Sequence, residues 1–207
     1  MTTAHDLTIV SLEVPSDHPV ERGDLSLALA GAELIDLLEA GAVVLDGLRP
    51  RPGSPTPSED ALLDAAASLA VQEPAESVED WLWRRGDGLA ARYLAAAGAD
   101  DGGGRRRPRW NARRTAGRQA PVPADAPARR RAGDRWSGGD PVLVALAAAV
   151  GIRHEAADQV ADPEDEGIDD GIAVVLAAVN DAVVELAAIR QRRSIEEAAF
   201  DNIWRGL

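Results

Sequence analysis

Almost all the apolar bulk of this chain is aliphatic. Hydrophobic residues make up 45% of the sequence but aromatics only 3%, and Phe, Tyr and Met occur once each. A core drawn from Leu, Val, Ile and Ala favours closely packed helices over a β-sandwich, whose pleated faces are filled by β-branched and aromatic side chains. At 207 residues the chain is expected to be one domain spanning 1–207, mainly α in class.

Helix signals recur along it. Asp24 can cap a helix over Leu25 to Ala40, where Leu27, Leu34, Leu37 and Leu38 fall at helical spacing and Gly41 follows. Ala42 to Asp46 reads as a short strand, followed by Gly47 and a Pro-rich loop to Pro57. Ser58, Glu59 and Asp60 open a helix to Val71. Ser77-Val-Glu-Asp80 is a capping box ahead of Trp81 to Arg85, and Asp87 to Ala97 makes another short helix. Asp140-Pro141 supplies a cap and an N1 proline to Val142–Val150, apolar all round and therefore expected at the centre, packed against the next helix. Ile172 to Arg190 should be the longest helix, with Ile172, Leu176, Val179, Val183 and Leu186 on one stripe. A second capping box, Ser194-Ile-Glu-Glu197, is expected to start a separate final helix through Phe200 and Trp204. Trp81, Trp83, Phe200 and Trp204 are expected to be core anchors.

Charge is uneven. The chain carries 22 basic and 35 acidic residues, a net charge of −13, yet the stretch Arg105 to Arg135 is strongly basic, with Asp125 and Asp134 its only acids. Residues 100–132, rich in Arg, Pro and Gly and without hydrophobic period, bury too little to offset their ordering entropy and read as a mobile loop. Residues 155–170 read as an acidic linker. All the bases are Arg, a bias expected of a GC-rich gene.

Several function classes lose their residues. No Cys means no disulfide, thiolate nucleophile or Cys-ligated metal. His5, His18 and His154 are scattered. If Asp162 opened a calcium loop, its twelfth position would be Ala173 and not the closing Glu. Gly102–Gly104 runs into Arg instead of the Lys of a phosphate loop, and no Gly-x-Ser-x-Gly elbow occurs. No catalytic residue, metal or cofactor is expected, so the chain reads as a binding protein and not an enzyme. Ile172–Ile189 is interrupted by Asn180, Asp181 and Glu185, so no membrane-crossing segment is expected, and Met1–Asp6 lacks a basic leader. A cytoplasmic protein is expected, peripheral at the inner membrane face if it binds lipid. The Arg-rich stretch has the composition of a polyanion binder, with Trp110 and Trp136 beside it. The acidic body disfavours nucleic acid and leaves an anionic membrane or an acidic partner.

Four stretches carry a family resemblance: Gly23 to Leu38 with Ala40 to Asp46; Asp60-Ala-Leu-Leu-Asp64; Ser77 to Trp83; and Pro141 to Ile152 with Ile172 to Leu207. In combination they resemble the Golgi phosphoprotein 3-like family, and within it the bacterial branch from actinomycetes. The resemblance implies a single compact domain, its helical core ringed by amphipathic helices, with a short strand or hairpin. Eukaryotic relatives are non-enzymatic peripheral Golgi adaptors that bind phosphatidylinositol 4-phosphate, hold client proteins by their tails and self-associate through a β-hairpin.

The family's headgroup pocket uses a Trp and three Arg. By this resemblance the Trp position falls on Glu21, the first Arg on Ala30, and the later pair on Leu89 and Arg92. Anionic-lipid contacts are then expected from Arg92, Arg84 and Arg85, and from Arg105, Arg106, Arg107, Arg109, Trp110, Arg113, Arg114 and Arg118 in the basic loop. That loop replaces the family hairpin, through genuine divergence or a compensated frameshift. Phospholipid headgroups, an unnamed client protein and a second copy are the expected partners. The alternative is a cytoplasmic protein-interaction scaffold without lipid binding.

Overall fold

The computed structural model describes residues 2–16, 18–54, 76–97, 126–154 and 168–205. These form seven helices and one two-stranded hairpin: α1 (Thr3–Glu13), α2 (Arg22–Glu39), β1 (Val43–Asp46), β2 (Arg49–Pro52), α3 (Val78–Gly86), α4 (Leu89–Ala96), α5 (Ala126–Ser137), α6 (Pro141–Ala149) and α7 (Asp170–Arg205). The domain is mainly α, as the aliphatic composition requires.

Helix α2 is the axis. Every residue from Leu25 to Leu37 is buried, and α1, β1, α3, α4, α6 and α7 all pack against it. Val142–Val150, expected at the centre, gives Leu143, Leu146, Ala147 and Val150 to the same core, while the axis itself is α2. Helix α6 does pack on α7, but it also packs on α1 and α2 and leaves Ala148 at the surface. Helix α2 meets α7 at Gly31, where a Cβ would lie 2.3 Å from Val179 Cγ2, so the two backbones approach as closely as glycine allows. The inward stripe of α7 is Ile172, Val175, Val179, Ala182 and Val183. Leu176 and Leu186, expected on it, are half-buried at its margins.

Two helix starts carry the expected caps. Ser77 Oγ accepts from Asp80 N–H at 3.0 Å while Asp80 reaches back to Ser77 N–H at 3.3 Å. The Ser77 hydroxyl and N–H hold the Asp80 carboxyl below its ordinary range. Asp140 Oδ1 caps α6 through Leu143 N–H at 2.9 Å. Helix α2, however, begins at Arg22, three residues earlier than expected, with Glu21 at its N-cap position.

Other segments differ from expectation. Thr3–Glu13 is a helix, whose N-terminus is held from outside: Asp36 accepts from Thr3 N–H at 2.8 Å and Ala4 N–H at 3.3 Å. The loop after Asp46 is half strand, since β2 pairs antiparallel with β1 across Gly47 and Leu48. Its Pro50 and Pro52 are tolerated because β2 is an edge strand. The loop drawn over 100–132 gives way to helix at Ala126, and α5 docks on α1 through Ala128, Ala132 and Ile9. The last two helices are one, because nothing between Arg190 and Ser194 breaks the backbone ladder. That helix contains an 18-residue window with a mean hydropathy of 2.1, long and apolar enough by composition to cross a membrane. Its inner face nevertheless packs on α2, α3 and α6. Among the aromatic anchors Trp81 is fully buried and Trp83 half-buried, but Phe200 is 61% exposed on the far end of α7. The Ser58–Val71 helix, most of the acidic linker and the Trp204 side chain lie outside the described residues.

Candidate functional site

Where the first turns of α2 meet the α3–α4 turn there is a cleft of about 440 Å³. Its walls are Gly23, Ser26 and Leu27 of α2, Trp83 of α3, the Gly86-Asp87-Gly88 turn, and Leu186 of α7. The sequence builds it through small residues. Gly88 takes φ +64° to turn the chain from α3 into α4. Gly86 lies so close to α2 that a Cβ would sit 3.4 Å from the Ser26 carbonyl oxygen. Ser26 Oγ accepts from Ala90 N–H at 3.0 Å and so caps α4, which has no side-chain cap of its own.

The charged groups of the cleft are Arg22 and Asp87. At its rim Arg190 of α7 pairs with Asp24 and lies 3.8 Å from Glu21. Partial burial raises the Asp24 carboxyl above its ordinary range, opposed by the Arg190 guanidinium. Anion recognition needs several donors converging on one point, and this cleft is lined mainly by apolar carbon and glycine backbone.

The positions assigned by resemblance do not converge on it. Ala30 is wholly buried, and its carbonyl oxygen accepts from Trp81 Nε1–H at 3.2 Å. Leu89 is wholly buried. Arg92 is exposed and donates to the Asp87 carbonyl at 3.0 Å. Arg84 is paired with Glu76, Nε to Oε2 at 2.8 Å, and stacks over Trp81 at 5.3 Å.

Arg85 must be removed from the surface set altogether. It is 2% exposed, and its guanidinium forks onto the buried Glu33 carboxylate, Nε to Oε2 at 2.5 Å and Nη2 to Oε1 at 2.7 Å. Tyr93 Oη donates to the same Oε1 at 3.0 Å. Burial pushes the Glu33 carboxyl up, while Arg85 and Tyr93 pull it back. The eight loop positions from Arg105 to Arg118 lie outside the described residues.

Two buried polar clusters escaped the sequence reading. One is Glu33–Arg85–Tyr93. The other centres on Asp6, 1% exposed, which accepts from Arg131 Nη2 at 2.8 Å and Arg135 Nη1 at 2.7 Å; Arg135 also reaches Asp140 at 3.0 Å. A signal for the first was present: Glu33 and Asp36 are the only charges between Leu25 and Leu38, and a carboxylate inside a fully buried helix demands a partner. Nothing in the sequence pointed to the second. Among the described residues no three metal-ligating side chains come together.

No curated protein and no solved structure matches the chain. The family model for Golgi phosphoprotein 3 (GPP34) matches residues 4–192, from the first helix through the apolar length of α7. The α2 axis, the hairpin after it and the Trp81-bearing α3 all fall within that match, so the chain belongs to the Golgi phosphoprotein 3 (GPP34) family.

Proposed function

We propose that this chain is a non-catalytic peripheral adaptor that meets anionic membrane by general electrostatics and holds a client protein. Family membership supports the adaptor role. The observation that carries the electrostatic form is the fate of the basic residues around the cleft. Arg85 is locked to Glu33, Arg84 to Glu76 and Arg190 to Asp24, while buried Ala30 and Leu89 occupy two of the family's arginine positions. Among the described residues no convergent set remains to select one phosphoinositide headgroup. On α5, Arg131 and Arg135 are engaged with Asp6, and Arg129 with Glu13. The seven Arg between Arg105 and Arg118 are then the main reserve of positive charge. Each contributes about 1 kcal/mol near an anionic surface, enough to overcome repulsion from the acidic body.

Sedimentation with phosphatidylserine vesicles, with and without phosphatidylinositol 4-phosphate, tests this. Binding should fade as salt rises from roughly 0.05 to 0.5 M, because screening shortens several-fold, and should vanish when those seven Arg are replaced by Gln. Salt-resistant binding selective for the 4-phosphate lipid would restore a headgroup pocket, with Arg92 the first residue to replace. The same lack of convergent bases favours a second reading, a cytoplasmic scaffold, which would stay in the supernatant under every condition.

A further inference from the structure

Val174 and Ala178 of α7 are half-buried in a groove shared with Leu48 and Val78, but beyond them the outward side of the helix is exposed. Only 22% of its most apolar window is buried, although its hydropathy would suit a membrane span, and Val184 and Ile195 are 61% and 58% exposed. Val174, Asp181, Ala188 and Ile195 alternate with Ala177, Val184, Gln191 and Ala198 at spacings of three and four, the seam of a left-handed coiled coil. Along one flank stand Ala178, Glu185 and Arg192, and no ion pair joins Glu185 or Arg192 to a described residue.

We infer that this seam pairs antiparallel with α7 of a second copy. Charge decides both the occupant and the register. A parallel pair would set Asp181 against Asp181 and leave Glu185 and Arg192 facing Asn180, Ala187 and Ser194, which carry no charge. An antiparallel pair with its two-fold axis between Ile189 and Arg190 packs each Val184 on Ile195 of the second copy and each Ala188 on Gln191. It also brings Glu185 opposite Arg192 twice. Sliding by one heptad would instead oppose Glu185 to Glu185. The inner faces of both helices stay on their own bodies, which sit on opposite outer sides of the pair. An anionic membrane is a poor occupant because Asp181 and Glu185 line the seam. The hairpin through which eukaryotic relatives self-associate is not involved.

The full chain should sediment at equilibrium with twice its 21.8 kDa mass at concentrations of about 100 µM or below. Val184→Glu should weaken the dimer at least about tenfold with an unchanged circular dichroism spectrum, since its side chain is exposed in the single chain. Glu185→Arg and Arg192→Glu should each weaken it several-fold, and combining them should restore wild-type affinity. A monomer throughout that range, a dimer indifferent to Val184→Glu, or a double variant no tighter than the single ones overturns the inference. So does a monomer that loses vesicle binding on Val184→Glu, which would assign the face to lipid.

Discussion

Arg85 and Glu33 meet in the middle of the domain as a two-pronged ion pair, 2% and 0% exposed. Taking both charges out of water is costly, and their attraction offsets that cost only while both are present. Arg85→Met alone should destabilise the domain by about 3–5 kcal/mol, because Glu33 is then left with Tyr93 as its one close partner. Combining it with Glu33→Leu should recover most of that loss. Urea denaturation of the two variants measures this. Equal losses would mean that the pair is solvated in solution.

The clamp on α1 titrates. Burial lifts Asp36 from its ordinary 3.8 to about 6, against the Thr3 and Ala4 N–H groups that favour its charged form. A carboxyl raised in the folded state binds its proton more tightly there than in the unfolded chain. Its contribution to stability is therefore full below pH 4 and declines as pH rises through about 6, by up to about 3 kcal/mol. Relative to Asp36→Asn, the wild-type protein should lose stability across that window. Parallel pH profiles for the two proteins would show that Asp36 is not the titrating group.

Gly31→Ala should cost about 1–3 kcal/mol by overpacking. The new methyl would meet Val179 Cγ2, and a buried β-branched side chain has little rotamer freedom to move aside. Val179→Ala opens the space, so the double variant should be more stable than the sum of the single changes predicts. Thermal melts of the three variants give the coupling.

Helix α5 depends on charge. Its apolar hold on α1 is Ala128 and Ala132 against Ile9, and Gly133 weakens it from within. Asp6→Asn should remove about 2 kcal/mol of local stability, seen as hydrogen exchange faster by about thirtyfold over α5 with α2 unchanged. Uniform acceleration across both helices would mean that α5 opens only with the whole domain.

How much of this could be read beforehand depended on where each element draws its stability. Helices α3 and α6 announce themselves through their own caps, Ser77 and Asp140, and α2 through its apolar spacing alone, since no side chain caps it. Helix α1 carries a local cap, Thr2 accepting from His5 N–H, but its Thr3 and Ala4 N–H groups are closed by Asp36, far along the chain, and its β-branched residues blur the helical period. The start of α5 was missed because its first turns offer only Ala128 and Ala132 as apolar contact points amid arginines, its one large apolar residue, Trp136, standing at the far end. In β2 the prolines hid a strand that an edge position permits. Ser194-Ile-Glu-Glu197 reads equally well as a helix start or as an exposed stretch of a continuing one, and only the unbroken backbone of α7 decides. At the cleft, resemblance named the positions, but the packing of Ala30 and the burial of Arg85 could not be foreseen from types and spacings.

Two glycines of α2 seat the long helix. Gly31 lies against Val179, and Gly23 lies against Leu186 about 10 Å further along α7, where a Cβ would come within 2.8 Å of Leu186 Cδ2. Leu186 is also a wall of the cleft. Any side chain larger than hydrogen at Gly23 would therefore press on that wall, so the close approach that fastens α7 to the axis also sets the width of the cleft.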